Sequence, residues 1–222
     1  MDFIIFDLDD TLYPQIEYDR GCLMNTVNYV SELCGICADK VSAILNRILN
    51  EKGIEYRQIY NDLFDEIKFD GMPHIKEILT LYWQAKPDIT VYPDVYFVLD
   101  QLKCKYRLAM ITDGYPEVQK YKIDKLGLTE YFECVYITDI YGIDKRKPSE
   151  YVFELFLREN NIAAEKCVYI GNDPQKDFLP AKKLGMHTVR IRQGSFKNMR
   201  LDDVNEAEET ICSVTRLSDC LL

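Results

Sequence analysis

The sequence predicts an α/β protein in which a mostly parallel sheet is flanked by helices and a helical segment is inserted after the first strand. Three observations carry that expectation. From about Tyr92 onward, short apolar runs alternate with helical patterns, the rhythm of strand–helix–strand units. The chain also opens on an unbroken apolar run, Phe3-Ile4-Ile5-Phe6, as a strand buried on both faces should. Between these regions, residues 15–86 carry helical periodicity and few strand signals.

The elements follow in order. Phe3 to Phe6 is the first strand. In the insert, Val27, Val30 and Leu33 fall on one helix face, as do Val41, Ile44, Leu45 and Ile48. Gly53, Gly71-Met72-Pro73 and Lys86-Pro87 break the pattern. We therefore expect a core domain of residues 1–14 and 87–222, with residues 15–86 as an inserted helical cap. Further strands are expected at Leu108 to Ile111, Cys134 to Ile137, Cys167 to Ile170 and Thr188 to Ile191. The intervening helices are expected at Val95 to Lys103, Pro116 to Leu126, Tyr151 to Glu159 and Gln175 to Leu184. Gly127 and Gly185 stand where helices should stop. The tail is acidic from Asp202 to Glu209 and is expected to end in a short helix near Leu217 to Leu222.

Composition narrows the function. The 222 residues are 47% hydrophobic and 29% charged, ordinary values for a globular protein. A net charge of −10 disfavours nucleic acid or an anionic membrane as partner. It also means that an anionic substrate needs positive charge supplied locally, as by a metal. Neither a secretion signal nor a run of about 18 apolar residues is found, so no membrane span is expected. Of the eight cysteines, Cys134 and Cys167 each open an apolar strand-like run, which fits buried free thiols and a reducing cytoplasm. Cys34-Gly35-Ile36-Cys37 has redox or half-zinc-site spacing, yet no second pair or preceding strand supports it.

Parallel strands bring their carboxyl ends to one sheet edge, where open α/β sheets bind ligands. Here those ends carry Asp7 and Asp9, then Thr112-Asp113-Gly114, then Lys147-Pro148, then Gly171-Asn172-Asp173 through Asp177. Each has a plainer use: an acidic turn, a helix cap at Thr112, a solvated lysine, a turn residue before Pro174. Together they form a carboxylate pair, a hydroxyl, an ammonium and a second acidic cluster, a set suited to phosphoryl transfer. One carboxylate can act as nucleophile and the other can carry the proton, while Mg²⁺ and the donors offset phosphate charge.

This arrangement resembles the haloacid-dehalogenase-like (HAD) hydrolase superfamily along nearly the whole chain. Asp7-Leu8-Asp9-Asp10-Thr11 resembles its first motif, Thr112-Asp113-Gly114 the second, Lys147-Pro148 the third, and Gly171 through Asp177 the fourth. The resemblance implies a Rossmann-like core with an α-helical cap, Asp7 as nucleophile and Asp9 as general acid/base. It implies that Thr112, Asp113, Gly114 and Lys147 bind the phosphoryl group. Mg²⁺ would sit on Asp7, the Asp9 main-chain carbonyl and the fourth motif, drawn from Asn172, Asp173 and Asp177. Asn172 stands where the family has aspartate, so either Asn172 or Asp173 is the ligand there, and Lys145 is a second candidate lysine.

The run Asp7 to Pro14 is similar to nucleotidase-like phosphatases, which implies a nucleoside 5′-monophosphate substrate, a pyrimidine one among them. A sugar-phosphate phosphatase or phosphomutase is the alternative, and a phospho-ligand-binding module without turnover is another. Tyr13, Gln15, Tyr18 and Arg20 are candidates for substrate choice. The expected partner is a small phosphorylated metabolite, with the chain a monomer or weak homodimer.

Overall fold

The computed structural model describes residues 1–220. They divide into an α/β unit, Met1–Pro14 with the chain from Thr90 on, and a helical unit, Gln15–Ile89. The helical unit runs past residue 86 because Pro87 packs on Gly21, where an added Cβ would lie 2.1 Å from the Pro87 Cβ.

In the α/β unit, β1 (Phe3–Phe6) is followed after the insert by β2 (Arg107–Thr112), β3 (Cys134–Ile137), β4 (Cys167–Gly171), β5 (His187–Ile191) and β6 (Glu209–Ile211). All pair in parallel, in the order β3-β2-β1-β4-β5-β6. This Rossmann-like order puts the switch point beside β1, because successive crossovers leave it in opposite directions. All four residues of β1 are buried, with Phe6 registered on Met110 and Ile170. Phe3 packs edge-on against Phe156 from one side of the sheet, and Phe6 against Phe132 from the other. β1 is thereby packed on both of its faces. β6 was not expected: it has three residues and only Ile211 is buried, too short a run for periodicity to register.

The helical unit contains α1 (Gln15–Met24), α2 (Val27–Cys34), α3 (Ala38–Lys52), α4 (Ile59–Ile67) and α5 (Ile75–Gln84). Its own core joins Val30, Val41, Leu45, Leu63 and Ile78, all fully buried. Gly35 ends α2 at φ 65°, so Cys34 and Cys37 straddle a helix stop. All eight cysteines are free thiols.

The α/β unit continues with α6 (Val95–Leu102), α7 (Pro116–Lys125), α8 (Tyr151–Glu159), α9 (Phe178–Lys183) and α10 (Leu217–Cys220). Proline at the first position of α7 costs no hydrogen bond, and Gly127 at φ 58° closes the helix. α9 starts at Phe178 rather than Gln175, because Asn172 to Asp177 is occupied by a turn described below. The helix expected to reach Leu222 is seen to Cys220; Leu221 and Leu222 lie outside the described residues. No helix among the described residues is long and apolar enough to cross a membrane.

Candidate active site

Asp7 follows directly on β1, and its N–H donates to the Ile170 carbonyl at 2.8 Å, extending the ladder to β4. The side chain is buried. Its Oδ1 accepts from Lys147 Nζ at 2.9 Å, and its Oδ2 has no partner among the described residues. Burial pushes the carboxyl up to about 7 despite Lys147, with the Asp177 charge adding to the rise.

Asp9 has the opposite environment. Oδ1 accepts from Lys122 Nζ at 2.6 Å and from the Tyr13 hydroxyl at 2.6 Å, and Oδ2 accepts from Gln119 Nε2 at 2.8 Å. Burial alone would raise this carboxyl, but the Lys122 charge and the three donors hold it below the usual range. Asp10, next in the chain, takes φ 56°. Its carboxylate accepts from the Ser195 N–H at 2.9 Å, which ties the turn after β1 to the segment after β5.

Thr112, at the end of β2, is fully buried, and its hydroxyl accepts from Gln119 Nε2 at 2.7 Å. Asp113 accepts from the Lys147 N–H at 3.1 Å and from the Thr138 hydroxyl at 2.8 Å, so it sets the Lys147 loop. Gly114 turns the chain into α7 at φ 135°, which is strained for any other residue. Lys147 is buried, and its three protons go to Asp7, Asp177 at 2.7 Å and Tyr169 at 2.8 Å. These carboxylates hold its ammonium well above the ordinary lysine value against the opposing effect of burial. Lys145 instead pairs with exposed Asp144, so the structure brings Lys147, not Lys145, to Asp7.

The fourth motif is a turn organised by Asp177. Its Oδ2 accepts from the N–H groups of Asn172 at 3.1 Å and Asp173 at 2.9 Å, while Oδ1 accepts from Lys147 and from Tyr169 at 3.3 Å. Only glycine fits at 171, where a Cβ would lie 2.4 Å from Asp177 Oδ2. Asp177 therefore receives four donors on its two oxygens. Asp173 is buried, which raises its carboxyl, and the Asp177 charge adds to that.

The residues fit a divalent cation. No three His, Cys, Asp or Glu side chains among the described residues form a metal cluster. The Asp7 Oδ2 is an orphaned acceptor, however, and Asn172 has a buried terminal atom without a partner. That atom is placed as Nδ2, with Oδ1 at 3.3 Å from the Thr11 hydroxyl. The two ends of an amide are assigned from their partners, and a hydroxyl serves either. Turned over, Asn172 donates to Thr11 and leaves a carbonyl oxygen as the open buried group. The charge balance agrees: Asp7, Asp9, Asp113, Asp173 and Asp177 exceed Lys122, Lys147 and Lys176 by two negative charges, which one dication offsets. The Asp9 carboxylate is engaged, so its contribution to a metal is its main-chain carbonyl.

Sequence reasoning missed Lys122, Gln119, Tyr169, Lys176 and Arg190. Arg190, buried on β5, donates to the Asn172 carbonyl at 3.2 Å and forks onto Glu206 at 2.8 Å, bracing the fourth-motif turn. Gln119 and Lys122 stand at i and i+3 on α7, and both turn inward. Tyr13, expected to serve substrate choice, is fully buried and holds Asp9. In the helical unit, Tyr18 is buried, and Arg20 donates to Asn50 Oδ1 at 3.1 Å; Gln15 opens α1.

Comparison with known proteins completes the description of the site. A family model described as haloacid dehalogenase-like hydrolase matches residues 4–191. The chain is 33% identical over 220 residues to a glyceraldehyde 3-phosphate phosphatase of Methanocaldococcus jannaschii, covering 97% of this chain and 95% of that one. It is 27% identical to a ribulose-1,5-bisphosphate 5-phosphatase of Halopiger xanaduensis, covering 84% and 82%. Among solved structures, a HAD phosphatase of Thermococcus onnurineus aligns at TM-score 0.65 and 24% identity, covering 100% and 98%. A Bacillus subtilis HAD-hydrolase, YfnB, bound to magnesium, aligns at TM-score 0.63 and 16% identity, covering 99% and 98%.

Proposed function

The chain belongs to the haloacid dehalogenase-like hydrolases and is a phosphoric monoester hydrolase, and we propose that it dephosphorylates a small sugar phosphate through a phospho-Asp7 intermediate. The observation that carries the proposal is the contrast between two neighbouring carboxylates. Asp7 keeps an open buried oxygen, while Asp9 is fixed by three donors. The open Asp7 oxygen is the one free to attack phosphorus, and the three donors on Asp9 fix the orientation of the carboxylate that carries the proton.

In the first step an Asp7 oxygen bonds to phosphorus as the ester P–O bond breaks. The electron pair leaves on the substrate oxygen, which takes a proton from Asp9; for this step Asp9 enters protonated on Oδ2, the oxygen that keeps a lone pair beside Gln119. A water oxygen then bonds to phosphorus and gives its proton to Asp9. The P–O bond to Asp7 breaks and its electron pair returns to the carboxylate. The Thr112 hydroxyl and the Lys147 ammonium would hold the charge spreading over the phosphoryl oxygens. Asp7, the Asp9 carbonyl and Asn172, or Asp173 in its stead, would hold Mg²⁺, which supplies charge neutralisation at the phosphate. Asp177 serves as an organiser of that turn rather than a ligand.

The nucleoside monophosphate expected from Leu12-Tyr13-Pro14 is not supported. The glyceraldehyde 3-phosphate and ribulose-1,5-bisphosphate phosphatases among the relatives are named for sugar phosphates, and Tyr13 is buried against Asp9 and so unavailable to stack a base. A panel of triose, tetrose and pentose phosphates run against pyrimidine nucleoside monophosphates tests this. We expect kcat/KM to favour a triose phosphate by roughly a hundredfold or more. A pyrimidine nucleotide as best substrate overturns the sugar-phosphate reading. Conversion of a sugar 1-phosphate to the 6-phosphate without release of inorganic phosphate identifies a mutase instead.

A further inference from the structure

We propose that Lys122 and Gln119 are positioning residues that lock Asp9 and Thr112 into one rigid unit, so that proton delivery and phosphoryl binding are set by a single helix. The proposal rests on the reading of Asp9 as proton carrier.

The geometry is specific. One amide nitrogen, Gln119 Nε2, donates both its protons, to Asp9 Oδ2 at 2.8 Å and to the Thr112 hydroxyl at 2.7 Å. The other Asp9 oxygen takes Lys122 and Tyr13. Oδ1 has thus filled both lone pairs, whereas Oδ2 retains one, which leaves Oδ2 as the oxygen able to carry a proton. The carboxylate cannot rotate without breaking bonds at both ends. Gln119 and Lys122 lie one turn apart on α7, whose inward face holds them with Ile123.

That face is unusual for a helix packed on a sheet, which normally buries an apolar stripe. Gln119 is 1% exposed and Lys122 5%. Burying an ion pair generally gains little or nothing in stability over apolar packing of similar volume. Stability is therefore a weak reason for Lys122 to be there, and control of Asp9 is the stronger one. A carboxylate that must meet first a leaving oxygen and then a water gains from a fixed orientation.

Leaving-group dependence tests this. An aryl phosphate such as p-nitrophenyl phosphate expels a stable anion and needs no proton, whereas glycerol phosphate expels an alkoxide and does. The measure is kcat/KM, which reports steps up to formation of phospho-Asp7. For Lys122→Met, the loss on glycerol phosphate should exceed the loss on p-nitrophenyl phosphate by at least about tenfold, within the range ascribed to general acid catalysis. Gln119→Leu should show the same selectivity from the other oxygen, and it keeps the test available if Lys122→Met misfolds by circular dichroism. Lys122→Arg should recover part of the loss. A purely structural role lowers both substrates alike, and equal losses in both variants overturn the proposal. Asp9→Asn is run in parallel. If it too loses both substrates equally, the proton-carrier reading fails and takes the clamp with it; if it is selective while the clamp variants are not, the clamp alone fails.

Discussion

Replacing Asp7 by asparagine should abolish turnover and, in metal-free buffer, make the protein more stable as the pH rises relative to wild type. Asp7 ionises at about 7 in the folded protein against an ordinary value of 3.8, chiefly because it is buried. The folded state therefore holds a proton that the unfolded state has already released between those two values. Wild-type stability falls as pH rises through that window and levels off above about 7. Between pH 5 and pH 8 the loss amounts to roughly 2 to 3 kcal/mol. Asparagine carries no such proton and can still accept from Lys147, which keeps its pairing with Asp177. The difference in Tm between Asp7→Asn and wild type should therefore widen by about 5 to 10 °C from pH 5 to pH 8 for a chain of this size. Calorimetry in EDTA across that range gives the answer. Added Mg²⁺ should raise the wild-type Tm and close part of the gap, because a cation at Asp7 binds only the folded state. A gap that stays constant with pH refutes the buried-carboxylate reasoning, and turnover of p-nitrophenyl phosphate by Asp7→Asn within tenfold of wild type refutes the covalent step.

Other perturbations address the remaining parts of the site. Activity should vanish in EDTA and return with Mg²⁺, and undiminished turnover without metal contradicts the charge balance. Asn172→Ala should raise half-saturating Mg²⁺ more than Asp173→Ala does, while Asn172→Asp keeps or strengthens binding; a larger rise for Asp173→Ala transfers the ligand role to Asp173. Gly171→Ala places a Cβ 2.4 Å from Asp177 Oδ2, so it should lower stability by about 1 to 3 kcal/mol, as overpacking does, and weaken Mg²⁺ binding with it. A Tm and Mg²⁺ titration equal to wild type would show that the turn tolerates the displacement.

The parts of this protein legible in its sequence are those where one physical demand dictates residue type over several positions. β1 had to be apolar on both faces, and it is. The helix stops needed a left-handed residue, and Gly127 and Gly185 supply it. The polar strand ends had to converge because parallel strands point one way. What stayed hidden was pairing across long separations. Lys122 lies 113 residues from Asp9, on a helix whose sequence looks merely polar, so its inward orientation has no periodic signature. Arg190 hides similarly in a strand, where an arginine suggests an exposed position, until Glu206 and the Asn172 carbonyl are seen to absorb its donors. The start of α9 was misplaced for a related reason. Gln175 and Lys176 are good helix formers, but Asp177 binds the N–H groups of Asn172 and Asp173 and holds that stretch in a turn.

These hidden contacts also show how a chain of net charge −10 prepares for an anion. Its site lysines are not left free: Lys147 is shared between Asp7 and Asp177, Lys122 is committed to Asp9, and Lys176 stands 3.6 Å from Asp113. Without a metal, an incoming phosphate would meet more negative than positive charge, and burial holds the Asp7 carboxyl above the usual carboxylate range. A dication held by Asp7 would offset both conditions, since its charge balances the excess and favours the ionised carboxylate. On the proposed mechanism, metal binding and readiness of Asp7 are therefore coupled, and the acidic cluster that would repel the substrate is the feature that ties its capture to a cation.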